Sequence, residues 1–188
     1  QEESEAASAV QAANLVRRGG AFREIARELT DRSAAHGERN AQRLRLQQYS
    51  TPLTISAVAQ DILRIREGEL VLEPTAGTGT LELGAAAAGA RIEGFELDKA
   101  RAERGTRVLK EAGAQFVNIR PRAFEVNAEG GFGGMAFDAV LANPPFEATK
   151  AQNVTDREGR TLSISRLDHR IVYDALNQVR ADGGRSFL

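Results

Sequence analysis

Two stretches of this chain gather residue types that could do chemistry. The first is Glu73-Pro74-Thr75-Ala76-Gly77-Thr78-Gly79-Thr80, entered from the apolar run Leu70-Val71-Leu72. A strand feeding a glycine-containing turn and then a helix lets a ligand approach bare backbone and aims a helix N-terminus at it. The second is Asn143-Pro144-Pro145-Phe146, at the end of the apolar run Phe137 to Ala142. Two consecutive prolines remove two backbone donors and stiffen the turn, where open α/β sheets place their sites. Taken alone, this turn also reads as a rigid loop with a core phenylalanine.

The first stretch sorts ligands by elimination. A phosphate loop needs Gly-Lys-Ser/Thr after its glycines, and no lysine is present there. The dinucleotide fingerprint needs a third small residue where Glu82 stands, and a carboxylate at that point would face helix–sheet packing. Glu73, at the strand terminus, would repel a pyrophosphate. A ligand without phosphate but with a cationic end fits, and S-adenosylmethionine, with its ammonium and sulfonium, is one. Glu96, in Gly94-Phe95-Glu96-Leu97-Asp98, follows at the spacing of an acid that accepts from ribose hydroxyls. A strand-ending acid is as readily a helix cap, and Asp98 reads as one.

The elements that must position these residues follow from hydrophobic patterning. Ser50-Thr51-Pro52 is a helix-start signal, and the spacing predicts a helix over 52–64. Beyond it, short apolar runs alternate with helical patterns, the signature of a parallel βα-repeating sheet. Strands are predicted at 70–73, 91–96, 115–119 and 137–142, with helices at 80–88, 98–112 and 167–179. Asp182-Gly183-Gly184 stops the last helix, and Arg185-Ser186-Phe187-Leu188 reads as the opening of another strand. The stretches 127–134, Gly-rich, and 149–163, polar without periodicity, read as loops.

Residues 5–46, rich in Ala, Glu and Arg and broken by Gly19-Gly20 and Gly37, read as two or three successive helices. Their arginines could meet phosphates, although a solvated face is the simpler reading. The division is therefore an N-terminal helical extension over 1–46 and a core over 47–188 that looks truncated at its C-terminal end.

Composition narrows the function classes. The 188 residues carry a formal net charge of -1, which excludes a uniformly basic nucleic-acid binder. With no cysteine, thiolate nucleophiles, disulfides and Cys-based metal sites are excluded, and two histidines, His36 and His169, far apart in sequence, suggest no metal centre. No apolar run approaches the roughly 20 residues of a membrane span, and the start Gln1-Glu2-Glu3-Ser4 is not a signal peptide. A cytoplasmic protein without membrane contact is the expectation.

The ordered set Gln48-Tyr49-Ser50-Thr51-Pro52, Glu73-Pro74-Thr75-Ala76-Gly77-Thr78-Gly79, Phe95-Glu96-Leu97-Asp98 and Asn143-Pro144-Pro145-Phe146 resembles the class I S-adenosylmethionine-dependent DNA N6-adenine methyltransferases. More loosely, the chain is similar to methylase domains of large phage or plasmid proteins. The resemblance covers about residues 47–188 and implies a Rossmann-like, doubly wound, mostly parallel α/β sheet. It implies that Tyr49 and Thr51 contact the methionine end of the cofactor, with Glu73, Thr75 and the turn glycines Gly77 and Gly79 beside it. By the same resemblance Glu96 takes the ribose hydroxyls, Leu97 and Phe124 cover the adenine faces, and Pro145 flanks the cofactor. The family often has Asp before that aromatic, where this chain has Ala123.

The implied catalytic residues are Asn143, Pro144 and Phe146. Adenine's exocyclic amine is a poor nucleophile, and a duplex hides it, so the base must be flipped out. The Asn143 oxygen and the Pro144 carbonyl can each accept one amine hydrogen, while Phe146 stacks on the base. The implied partner is DNA, in the setting of restriction-modification, with room for a fused or associated helicase, nuclease or target-recognition domain. Protein glutamine amides and RNA base amines present similar geometry to this turn, so they stand as alternative acceptors. A non-catalytic module binding cofactor or DNA within a larger assembly is the third reading.

Overall fold

The computed structural model describes Gln11, Asn14 and residues 51–124, 136–155 and 159–188. Apart from the helical Gln11 and Asn14, the expected N-terminal helices lie outside the described residues, as do Tyr49 and the Gly-rich stretch 127–134. A five-stranded sheet runs β3-β2-β1-β4-β7. Its strands are β1 (Leu70–Glu73), β2 (Arg91–Phe95), β3 (Phe116–Arg120), β4 (Ala139–Leu141) and β7 (Arg185–Phe187). Every pairing in it is parallel. This is the Rossmann-like arrangement, and its chain order reverses between β1 and β4, so the carboxyl ends of those two strands flank the crevice where such sheets bind ligands.

The central strands are buried on both faces, and successive side chains divide the core between those faces. Val71, Ile92, Ala139 and Leu141 pack with α1 (Leu53–Leu63), α2 (Leu83–Ala87) and α3 (Lys99–Ala112). Leu72, Phe95, Val140 and Ala142 pack with Ala175 of α4 (Leu167–Leu176) on the opposite face. With a period of two, Glu73 falls on the same face as Val71, and Asn143 on the same face as Leu141. The two chemically distinctive strand ends therefore lean toward the same layer of helices.

Three boundaries depart from the sequence expectation. The helix expected at 80–88 begins only at Leu83, with Glu82 as its N-cap at φ -83° and ψ -1°. The glycine turn consequently continues through Thr80 to Glu82 and aims no long helix at the cleft. The helix expected at 167–179 ends at Leu176, because Val179 leaves to bridge Phe137. The stretch 149–163, expected as loop, contributes most of an antiparallel hairpin, β5 (Ala148–Thr155) with β6 (Thr161–Arg166). Its register shifts between Ala148 and Gln152, and most of its residues are exposed, which explains the missing apolar signal. Among the described residues no helix is long and apolar enough to cross a membrane.

Candidate active site

The switch point of the sheet opens into a cleft lined by Thr51, Glu73, Thr75, Gly77, Arg101 and Asn143 among others. Residues from four separate stretches of sequence thus meet in one cavity. Thr51 reaches it because α1 packs tightly on α2. A Cβ at Gly84 would stand 2.5 Å from Gln60 Cβ, and Gly84 N–H donates to Ser56 Oγ at 3.0 Å. The far end of α1 is fastened by Arg185 of β7, whose guanidinium donates to the Leu63 carbonyl at 2.6 Å and to Glu69 at 2.5 Å. The expected Ser/Thr cap is absent: Pro52 is the N-cap of α1. The Thr51 hydroxyl instead accepts from Asn143 Nδ2 at 3.3 Å.

Glu73 is fully buried at the floor of the cleft. Its Oε1 accepts from Thr75 N–H at 2.8 Å and from Thr75 Oγ1 at 2.9 Å, while Oε2 has no hydrogen-bond partner. Burial pushes its carboxyl up to about 8, against the lowering effect of the Thr75 bonds, and Glu96 adds to the rise. Glu82, completely buried as the sequence implied, leaves both oxygens without a hydrogen-bond partner. Desolvation first, and the nearby charge of Glu73 second, raise it well above the usual carboxylate range. An orphaned acceptor at the base of a concave site is a place for a cationic donor.

The glycine turn divides into two roles. Gly77, at φ +57°, opens toward the site: a Cβ there would meet Arg101 Nη2 at 3.0 Å and Glu96 Oε2 at 3.9 Å. Gly79, at φ +80°, faces helix packing, since its Cβ would meet Leu109 at 2.9 Å. Its bareness serves the approach of α3, not of a ligand. Glu96 does not cap α3; Asp98 does, accepting from Arg101 N–H at 3.1 Å. Glu96 Oε1 accepts from Asp98 N–H at 2.9 Å.

The remaining candidates spread around this cleft. Pro144 is buried and Pro145 half-buried, whereas Phe146 is 68% exposed beside the start of the hairpin. Leu97 is 74% exposed next to Glu96. Phe124 stands edge-to-face on Phe95, with ring centroids 5.2 Å apart, and Ala123 is exposed. None of these residues forms part of the cleft wall described above. Five wall residues, Ala76, Thr78, Thr80, Leu81 and Arg101, were not singled out as site residues from sequence, and the charged one is Arg101. Its signal is a cation in the first turn of α3, where the helix macrodipole disfavours positive charge.

No protein-family profile matches the chain, and no curated protein matches it. Solved structures do. A modification subunit of a candidate type I restriction enzyme from Vibrio vulnificus is 16% identical, with a TM-score of 0.54, over 87% of this chain and 36% of that one. The methyltransferase subunit of a type I restriction-modification system from Streptococcus thermophilus is 17% identical, with a TM-score of 0.53, over 72% of this chain and 33% of that one. A candidate RNA methyltransferase from Pyrococcus horikoshii is 24% identical, with a TM-score of 0.53, over 82% of this chain and 69% of that one. The chain thus spans about a third of the length of the two restriction-modification subunits. Its fold is the Rossmann-like fold of class I methyltransferases.

Proposed function

We propose that this chain transfers a methyl group from S-adenosylmethionine to the N6 amine of an adenine flipped out of DNA. The observation that carries the reading is the shared cleft: the orphaned Glu73 Oε2, the bare face of Gly77 and the Asn143 amide open into one cavity at the switch point. That donor set fits the cofactor, because a buried carboxylate suits its ammonium and Glu96 suits its ribose. Thr51 and Thr75 would hold the same end, with Tyr49 beside Thr51 in sequence and Pro145 flanking, while Leu97 and Phe124 would bound the adenine. When bound, S-adenosylmethionine supplies an electrophilic methyl group on a sulfonium.

The chain's own contribution is to make a poor nucleophile competent. Asn143 Nδ2 donates to Thr51 Oγ1, which would leave its Oδ1 for an incoming amine. Oδ1 and the Pro144 carbonyl would each accept one N–H, drawing the amine lone pair out of conjugation and aligning it for attack. Exposed Phe146 would stack on the base, and the displaced proton would leave to water. No charged general base is needed. DNA as acceptor draws support from the likeness to the restriction-modification subunits, which also suggests a multi-subunit assembly. An RNA base amine is the second reading, favoured by the likeness to the candidate RNA methyltransferase. The test is label transfer from methyl-tritiated S-adenosylmethionine to adenine-containing DNA, RNA and a glutamine peptide. Label in DNA as N6-methyladenine supports the first reading. Label confined to RNA or peptide replaces it, and cofactor and DNA binding without transfer makes the chain a scaffold module.

A further inference from the structure

We propose that Arg101 is the anion subsite of the cleft, receiving the α-carboxylate of the bound cofactor on its guanidinium. The proposal rests on the S-adenosylmethionine reading of the cleft and adds the ligand for the group that reading leaves unmatched. The cofactor's amino-acid end carries opposite charges a few atoms apart. Glu73 suits the ammonium, but the acids at and beside the cleft, Glu73 in its wall with Glu96 and Glu82 near it, would repel the carboxylate.

Arg101 is the one cation among the described residues that line the cavity. It is only 6% exposed, and its Nε makes no hydrogen bond. The nearest described anion, Glu96 Oε2, stands 3.7 Å from Nε, outside hydrogen-bond reach. A desolvated guanidinium with an ion pair this loose is poorly compensated, and it gains from an anion that meets it in hydrogen-bond geometry. Its Nη2 occupies the space that Gly77 leaves open by lacking a Cβ. The planar fork therefore faces the same bare backbone that a ligand would approach. Its five donors match a carboxylate bidentately. The first turn of α3 gains nothing from a cation, so helix stability does not account for arginine at this position.

The competing account is that Arg101 merely positions Glu96. Two ligands separate these accounts: S-adenosylhomocysteine, which has the amino-acid end, and 5′-methylthioadenosine, which shares the nucleoside and sulfur but lacks it. Both are titrated calorimetrically into the full chain and into Arg101→Gln and Arg101→Lys. Arg101→Gln is expected to weaken S-adenosylhomocysteine by about tenfold or more, the size of one charge-assisted hydrogen bond, with 5′-methylthioadenosine unchanged. Arg101→Lys keeps the charge and is expected to recover part of the loss. Equal weakening of both ligands would overturn the proposal in favour of a role through Glu96 or through folding. No weakening of either would overturn it outright. Failure of the unmodified chain to bind either ligand would remove the cofactor reading itself, and the subsite with it, before any variant is considered.

Discussion

Asn143 and Glu73 divide the work at the residue scale, one facing the acceptor and the other the cofactor. Asn143→Ala removes the oxygen proposed to accept from the amine while leaving the buried floor intact. Its methyl-transfer rate should fall on the order of 100-fold or more with cofactor affinity within a few-fold of the original, measured by steady-state kinetics beside calorimetry. Equal losses in both would place Asn143 in cofactor binding instead. Glu73 makes a pH prediction with a fixed sign. Its pKa near 8 means that the carboxyl is protonated at neutral pH, whereas an ammonium needs it ionised. Cofactor binding should therefore expel a proton, and affinity should rise with pH from about 6 to 8, by at most about tenfold per unit for one proton. Calorimetry in buffers of different ionisation enthalpy measures that proton, and its absence contradicts this role for Glu73. The acids and the Asn-Pro-Pro-Phe turn were legible in sequence because strand-ending polar residues stand out against apolar runs. Arg101 was not, since one arginine among the charged residues of a helix carries no spacing signal of its own.

Between residue and molecule stand the elements that bring Thr51 to Asn143. The close approach of α1 to α2 depends on Gly84, whose missing Cβ leaves room for Gln60 and the Ser56 carbonyl. Gly84→Ala should cost about 1–3 kcal/mol by urea unfolding, the usual range for overpacking a filled interface. It should also weaken cofactor binding by shifting Thr51, and unchanged stability would show that α1 can yield without cost. The parallel strands and α3 were readable because burial on both faces gives short apolar runs and Asp98 followed by Gly113 marks both helix ends. The β5–β6 hairpin was not read because a two-stranded ribbon buries little. Thr161-Leu162-Ser163-Ile164-Ser165 does alternate, so the strand period was present at reduced amplitude.

At the scale of the whole molecule, the five-stranded order β3-β2-β1-β4-β7 concentrates buried acids behind one switch point. That arrangement links global stability to pH. Glu73 and Glu82 hold their protons more tightly in the fold than at the ordinary value of 4.5. The stability they contribute is full below about pH 4.5 and is lost as pH rises toward 8, because the unfolded chain then releases protons that the fold retains. The melting temperature without cofactor should decline between pH 5.5 and 8, and Glu82→Gln should flatten that decline. A flat profile for the unmodified chain would show that both carboxyls ionise at little cost. A parallel βα sheet was readable from the alternation of elements and its doubly wound order from the resemblance, whereas the missing hydrogen-bond partners of Glu82 emerge only with α2 packed on the sheet. Every role proposed for the cleft depends on Glu73 holding S-adenosylmethionine there. The most direct test is calorimetric titration of the chain with S-adenosylmethionine, alongside Glu73→Ala. Binding in the micromolar range that is lost in the variant is the predicted result; no binding, or binding indifferent to Glu73, would contradict it.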